Sequence, residues 1–507
     1  MSSRARAVVL GGSVAGLCAA GVLAQHFDEV VVLERDTLPA DAQHRRGVPQ
    51  SKHPHFLLNS GRRAMERIFP GYEAELIAAG GLHLMPSMAA AHCEEAGWVP
   101  RRTSSMTMIY GSRVLIERVL RDKLRALPNV AVREGTSVVG IETTGGGRPD
   151  GRVTGAWILN PSDGEPRLIV ADLVIDALGR GSSVGEWLHA AGWPEVPVHT
   201  LDANVTYTSR WYRKPAPSTI PDSWWWDQLS VMPTSDPAPH PPEHDFLCQI
   251  FPIEDDRVIV TMGSWGHPMP RRNDDFVAAA ERVRAPAFAD AMHRCEPLSD
   301  VFLTRSTGNK WRRYDLLDNP PLGLIAIGDS ICGFNPFYAQ GMSSAARSAV
   351  LLADKLNTSI ALDRRFYRRF LREQRDSLNV AWSLAVARDQ GYERATGTDV
   401  PPQWRQRLAA RLSWPLFNLI SGASREDAVI EQHFAKVFNL DESIADMSRS
   451  PRVLFGLARF GIKRALNRTT MPVGFDYRLA PPGDVYDTRT GQIEELPRME
   501  TVAARSV

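Results

Sequence analysis

The sequence predicts an α/β protein: a parallel sheet wrapped by helices, an antiparallel β insertion beside it, and a helix-rich C-terminal region. Three observations predict this. Ala5–Leu10, Glu29–Leu33 and Ala171–Ala177 are short apolar runs, the first closed by Gly11-Gly12 and the last followed by Gly179, as strands buried on both faces read. Val14–Gln25, between the first two runs, has helical composition. From about residue 195 to 310, polar and apolar residues alternate, as in Phe246–Phe251 and Arg257–Met262, which is the pattern of an antiparallel sheet. The 507-residue length allows two or three domains.

The N-terminal order is strand, glycine turn, helix, strand, acid. A Rossmann-like dinucleotide fold requires this order. Gly11 permits the tight turn, with Gly12 beside it, and Gly16 lets the helix lie close to the sheet. The middle position of the fingerprint is Ser13, which gives up some closeness of backbone approach but offers a hydroxyl to phosphate. The helix N-terminus presents unpaired N–H groups and a positive dipole end to a pyrophosphate. Glu34, followed by Arg35, closes the second strand where a carboxylate accepts both ribose hydroxyls, favouring a free 2′-hydroxyl as in FAD or NAD. Arg4 and Arg6 before an apolar stretch mimic a secretory signal, but strand, turn and helix account for it better.

Composition narrows the classes. With 59 Lys+Arg against 58 Asp+Glu, the chain lacks the diffuse positive charge that nucleic-acid binding rests on. No segment reaches the roughly 18 unbroken apolar residues of a membrane span. The five cysteines are far apart and form no C-x-x-C, so neither a disulfide framework nor a zinc site is expected, and the expectation is a cytoplasmic protein. His53 and His55 form H-x-H without further ligands at standard spacing, so no metal is expected and a loop near the cofactor is the better reading.

Further motifs follow in order. Arg113 opens a helical stretch to Leu124, Val130–Val132 and Val138-Val139 read as short strands, and Leu324–Ile327 is a strand ending in Gly328-Asp329. Then come Asn335–Met342 and an Ala-rich helix over Ser343–Leu356. Across residues 5–355 these blocks resemble the FAD-dependent monooxygenases of the aromatic-hydroxylase and squalene-epoxidase group. Arg45–Gln50 with His53 and His55 is most similar to the bacterial polyether epoxidases of the lasalocid and monensin pathways. The resemblance implies FAD, with Glu34 on the adenosine ribose, Arg113 along the diphosphate, Val138 at the adenine through its backbone, and Asp329 on the ribityl-pyrophosphate stretch. Gly341 and Met342 would place backbone N–H groups near the flavin pyrimidine edge. Gly11, Gly12, Ser13, Gly16, Arg35, Arg46 and Pro336 complete the expected cofactor set. Phe337, Tyr338 and Trp226 are expected to face substrate.

The expected reaction is insertion of one oxygen atom from O2, by epoxidation or hydroxylation, through a C4a-hydroperoxyflavin. The expected substrate is apolar: a polyketide, a terpenoid or an aromatic. No residue identifies itself as a base for a phenol, which leans toward an alkene or unactivated carbon. Aromatic hydroxylases of the group carry Asp-Gly where this chain has Leu178-Gly179-Arg180. Electrons are therefore expected from diffusing NAD(P)H or a separate flavin reductase. The glycine usual before Gln340 is Ala339. Rival readings are a flavin-dependent halogenase, whose W-x-W-x-I-P signature breaks at Asp227-Gln228, a geranylgeranyl-reductase-like oxidoreductase, and a non-catalytic flavin-binding sensor. The expected organisation is an FAD-binding domain over 1–190, a substrate-binding β-sheet domain over 191–310, the closing FAD segment over 311–357, and a helical region over 358–507. Pro233–Pro242 reads as a loop over the sheet, and the residues from Met499 as disordered. Val453–Arg464, apolar with a cationic end, is expected to pack on its own domain rather than on a membrane surface.

Overall fold

The computed structural model describes residues 6–94, 97–104, 106–160, 164–232, 246–305, 307–359, 361–392, 394–469, 481, 483, 485–486 and 493–494. The Pro233–Pro242 loop and the segment from Met499 lie outside the described residues. The chain folds as an α/β protein, with a parallel sheet, an antiparallel sheet and a helical C-terminal region.

The parallel sheet has five strands: β1 (Arg6–Leu10), β2 (Glu29–Leu33), β3 (Val130–Arg133), β4 (Leu173–Asp176) and β5 (Leu324–Ala326). Their order is β5-β4-β1-β2-β3, with every pair parallel. β1 and β4 are buried on both faces, which explains their unbroken apolar sequence. Helices α1 (Val14–Leu23), α2 (Arg113–Arg125), α3 (Gly341–Thr358) and α4 (Arg364–Asp389) cover this sheet and share one core with it. The strand order reverses beside β1, so the loops at the carboxyl ends of β1, β2, β4 and β5 border the crevice where such sheets take their ligands.

A three-stranded antiparallel sheet follows β3, built from Ser137–Thr144, Arg152–Leu159 and Arg167–Val170. Gly145–Gly151 is the loop joining its first two strands. The larger sheet has eight strands, and Val205–Arg213, Arg257–Trp265, Phe246–Ile253 and Gln228–Val231 form its centre. It also takes Ala90–Glu94 and Gly97–Trp98 from inside the first segment, with Ala90–Glu94 lying parallel to Gln228–Val231. The sheet is therefore not confined to residues 191–310.

Side-chain alternation gives this sheet two unlike faces. Leu229, Val231, Cys248, Ile250, Val260 and Met262 form a dry core with Phe276 and Phe288 of two covering helices. The opposite face carries buried Gln228, Ser230, Gln249, Ser209 and Thr261. Trp226 belongs to the dry core, stacked on Trp224 with ring centres 4.9 Å apart. It therefore does not face substrate; the near-complete burial of an indole beside Val231 and Leu229 is core packing.

Candidate cofactor and substrate site

The turn after β1 is built as the fingerprint requires. Gly11 has φ +104°, and a Cβ there would stand 2.5 Å from the Ala177 carbonyl oxygen. A Cβ on Gly16 would stand 1.8 Å from the Gly11 carbonyl oxygen, so only glycine allows α1 to start this close. Ser13 is the α1 N-cap and makes no side-chain cap, leaving the first amides of the helix free of side-chain partners. Instead its hydroxyl donates to Glu117 Oε2 at 3.0 Å and accepts from Arg113 Nη2 at 2.8 Å.

Around this turn lie two guanidinium groups and three carboxylates. Glu34 is buried, and its carboxylate accepts from the Gly12 and Asp36 backbone N–H groups, each at 2.9 Å. Arg45 lies 3.2 Å from Glu34, 2.9 Å from Asp36 and 2.8 Å from Glu117, and Arg113 pairs with Glu117 at 2.8 Å. Burial would raise the Glu117 carboxyl, but Arg113 and Arg45 outweigh it and hold the group below its usual range. A cleft beside the cluster is lined by Gln43, Arg45, Ser51, Arg113 and Glu117. Arg46, expected here, is exposed, as is Arg35; the neighbouring Arg45 reaches the cluster instead. Val138 is half-buried, two residues from Thr136, whose N–H donates to the Glu34 carbonyl at 2.9 Å.

The Gly328-Asp329 turn closes on the same place. Gly328 has φ +70°, and a Cβ on it would stand 2.6 Å from Ala15 Cβ, so this turn packs directly on the first turn of α1. Buried Asp176, at the end of β4, accepts from Ser182 Oγ at 2.6 Å, and Ser330 Oγ accepts from the Gly179 N–H at 2.8 Å. The first bond braces the β4 turn, and the second ties it to the β5 turn. Asp329 is half-exposed, 3.3 Å from Arg180 Nε. Arg180, which follows Leu178-Gly179, also donates to the Gly308 and Phe334 carbonyls.

Asn335 caps the short turn Pro336–Tyr338, which leads into α3. Pro336 is exposed, Phe337 half-buried and Met342 buried. Phe337 packs edge-on against Trp265 of the large sheet at 4.7 Å. Tyr338 does not open toward a substrate space: its hydroxyl donates to buried Asp389 at 2.7 Å. Asp389 also accepts from Asn309 (2.8 Å), Asn335 (3.2 Å) and Trp265 (3.2 Å). Sequence reasoning missed Asp389, Arg45, Glu117 and Arg180. Glu117 carried a signal, being one helical turn after Arg113 on the same face.

His53 and His55 link the two regions. His53 Nδ1 lies 2.8 Å from Ser209 Oγ on the polar face of the large sheet, and its ring packs edge-on against Tyr207. Burial, with His55, Lys52 and His44 adding, lowers His53 to about 3. Burial and then Arg113 lower His55 to about 4. The polar face and the loops after β2 and β5 therefore border one another at His53–His55 and at Phe337.

No family model matches the chain. Protein Rv3254 of Mycobacterium tuberculosis is 30% identical over 457 residues, covering 86% of this chain and 90% of that protein. The chain belongs to the family of Protein Rv3254. A second relative of this Rv3254-family chain is the kynurenine 3-monooxygenase of Salinispora tropica, 24% identical over 484 residues, covering 85% of this chain and 93% of that enzyme. Among solved structures, the flavin-dependent brominase Bmp2 superimposes with a TM-score of 0.61 at 13% identity, over 91% of this chain and 98% of its own. The fold of the Rv3254-family chain is thus that of flavin-dependent monooxygenases and halogenases.

Proposed function

We propose that this protein is an FAD-dependent monooxygenase that inserts one oxygen atom of O2 into an apolar small molecule. The observation that carries the reading is the convergence of three distant segments: the Gly11–Gly16 turn with Glu34, the start of α2 at Arg113, and the Gly328-Asp329 turn before α3. The residues fit FAD. Neither α1 nor α3 has a side-chain cap at its N-terminus, and Gln340 Oε1, at the α3 start, is buried without a hydrogen-bond partner. Space is open over Gly179 and Gly181, where an added Cβ would meet nothing within 4 Å. Over Gly341 it would meet only Asp329 Oδ1, at 3.6 Å.

FAD, when bound, supplies the reduction of O2 and the electrophilic oxygen. The chain's own residues hold and shield it. Glu34 would accept hydrogen bonds from ribose hydroxyls, Arg113 and Arg45 would balance phosphate charge, and Asp329 would accept from ribityl hydroxyls. Amides at the α3 start would stabilise negative charge at the flavin's pyrimidine edge. The polar face of the large sheet, with His53, forms the opposite wall and excludes water.

Among the described residues that wall offers no ready base. His53 at about 3 is a poor proton acceptor at neutral pH, and burial pushes the Tyr207 and Tyr110 hydroxyls up. This supports oxidation of an alkene, which needs placement only, over hydroxylation of a phenol, which benefits from deprotonation. Polyether-type epoxidation falls within this reading. The halogenase alternative gains no support from Trp224 and Trp226, both packed in the dry core. Leu178-Gly179-Arg180 in place of the Asp-Gly pair that the resemblance implies favours electron delivery by a separate flavin reductase or by diffusing NAD(P)H.

The test is FAD content of the purified protein and of Glu34→Ala and Asp329→Ala. The wild type is expected to be yellow, and each variant to hold FAD at least about tenfold more weakly, the loss expected when charge-assisted hydrogen bonds are removed. Full occupancy in both variants would remove the basis of the assignment. Oxygen-dependent turnover of polyenes then tests the reaction.

A further inference from the structure

The two outer helices of the C-terminal region turn one side inward and leave another uncovered among the described residues. On the helix Pro451–Ala465, Val453 and Phe460 are buried in a small core with Ile430 and Ala423. Phe455 and Ile462 are 72% and 62% exposed, and Leu466, just past the helix, is exposed too. On the helix Gln403–Glu426, Trp404, Leu408, Leu412 and Leu416 recur every fourth residue, and each is more than 50% exposed. The two helices pack on one another: a Cβ on Gly461, next to Ile462, would stand 4.0 Å from Leu419, one helical turn from Leu416.

Charge is distributed in the same way. The chain as a whole is balanced, yet residues 449–470 contain no Asp or Glu, and the helix Gln403–Glu426 carries only its last residue, Glu426, whose side chain is buried and paired with Lys463. Arg405, Arg411, Arg452, Arg459 and Arg468 are exposed on these same two segments. Single exposed apolar residues are ordinary, whereas apolar stripes on two packed helices, flanked by exposed arginines and with the side chain of their one carboxylate, Glu426, buried against Lys463, mark an interaction site. The positive flanks select a negatively charged occupant, and the apolar stripe selects one with a hydrocarbon interior. A bilayer of anionic lipids has both properties. Among the described residues no helix is long and apolar enough to cross a membrane, so the contact is with the surface.

We propose that this two-helix face docks the protein on the surface of an anionic lipid bilayer. The proposal goes beyond the oxygenation reading and its readout does not require FAD. The experiment is flotation of the full-length protein with vesicles of phosphatidylcholine alone, or of phosphatidylcholine with about one-third phosphatidylglycerol. Flotation is expected with the anionic vesicles only, weakening as salt shortens the Debye length toward about 3 Å. The pair Phe455→Glu with Ile462→Glu, and separately Leu408→Glu with Leu412→Glu, is expected to lower partitioning by about tenfold or more, since each removes apolar burial and adds repulsion. All four positions are exposed, and an unchanged circular dichroism spectrum and unfolding midpoint show that the variants fold. The proposal is overturned by absence of flotation, or by equal flotation of the Glu variants. It is also overturned if the substitutions split a dimer in light scattering while no vesicles are bound, which would assign the face to a second copy.

Discussion

Replacing Asp389 with alanine tests whether one buried carboxylate holds the turn that enters α3. All four of its partners are donors: Tyr338 Oη, Asn309 Nδ2, Asn335 Nδ2 and Trp265 Nε1, at 2.7 to 3.2 Å. They come from the α3 approach, the strand Asn309–Arg312 and the large sheet, so this one group joins three parts of the molecule. Burial pushes the Asp389 carboxyl up, while Tyr338, Asn335, Asn309 and Trp265 pull it back. Alanine leaves these donors without their acceptor. At about 1–3 kcal/mol for each orphaned donor, and with water re-entering the small cavity, a loss of about 3–5 kcal/mol is expected. Asn keeps one acceptor oxygen but turns an NH2 toward donors, so Asp389→Asn falls between alanine and wild type. The assay is the denaturant midpoint by circular dichroism, read beside FAD retention, which is expected to fall in parallel because the turn loosens. If Asp389→Ala costs less than about 1 kcal/mol, the surrounding donors are satisfied otherwise and the argument fails.

The parallel sheet was legible because its residues have few other options. Ala7–Leu10 and Val30–Leu33 are apolar at every position, a pattern that only a strand covered on both faces satisfies in so short a run. The glycine turn was legible because Gly11 and Gly16 are steric requirements. The site residues the sequence hid are those whose role depends on neighbours far along the chain. Arg45 and Arg46 are chemically identical in sequence, and only the path of the loop decides which reaches Glu34 and Glu117. Asp389 is the last residue of a 26-residue helix, where the dipole disfavours an anion. Its burial is explained only by donors lying 51 to 124 residues away. Trp226 misled for the opposite reason: sheet alternation fixes which face a residue takes, but not which face meets the ligand. Tyr338 was placed on the right turn, yet its hydroxyl is turned to Asp389.

Two further predictions follow from local geometry. Ala339 sits in the left-handed region at φ +55°, so Ala339→Gly removes a strain of about 1 kcal/mol, partly offset by glycine's unfolded-state entropy; a small rise in the thermal midpoint is expected, and a fall would show that the methyl packs usefully. Acid stability tests His53. Its folded value of about 3 lies below its ordinary 6.5, so the unfolded chain binds a proton that the folded chain refuses between those two values. Stability from this group is therefore complete above about pH 6.5 and drains away as pH falls toward 3, by up to about 5 kcal/mol. Unfolding midpoints of wild type and His53→Gln, compared from neutral pH downward, are expected to converge as acid is added, because glutamine binds no proton in either state. A wild-type curve as flat as that of the variant would mean that water reaches the ring, and that the wall it belongs to is not dry.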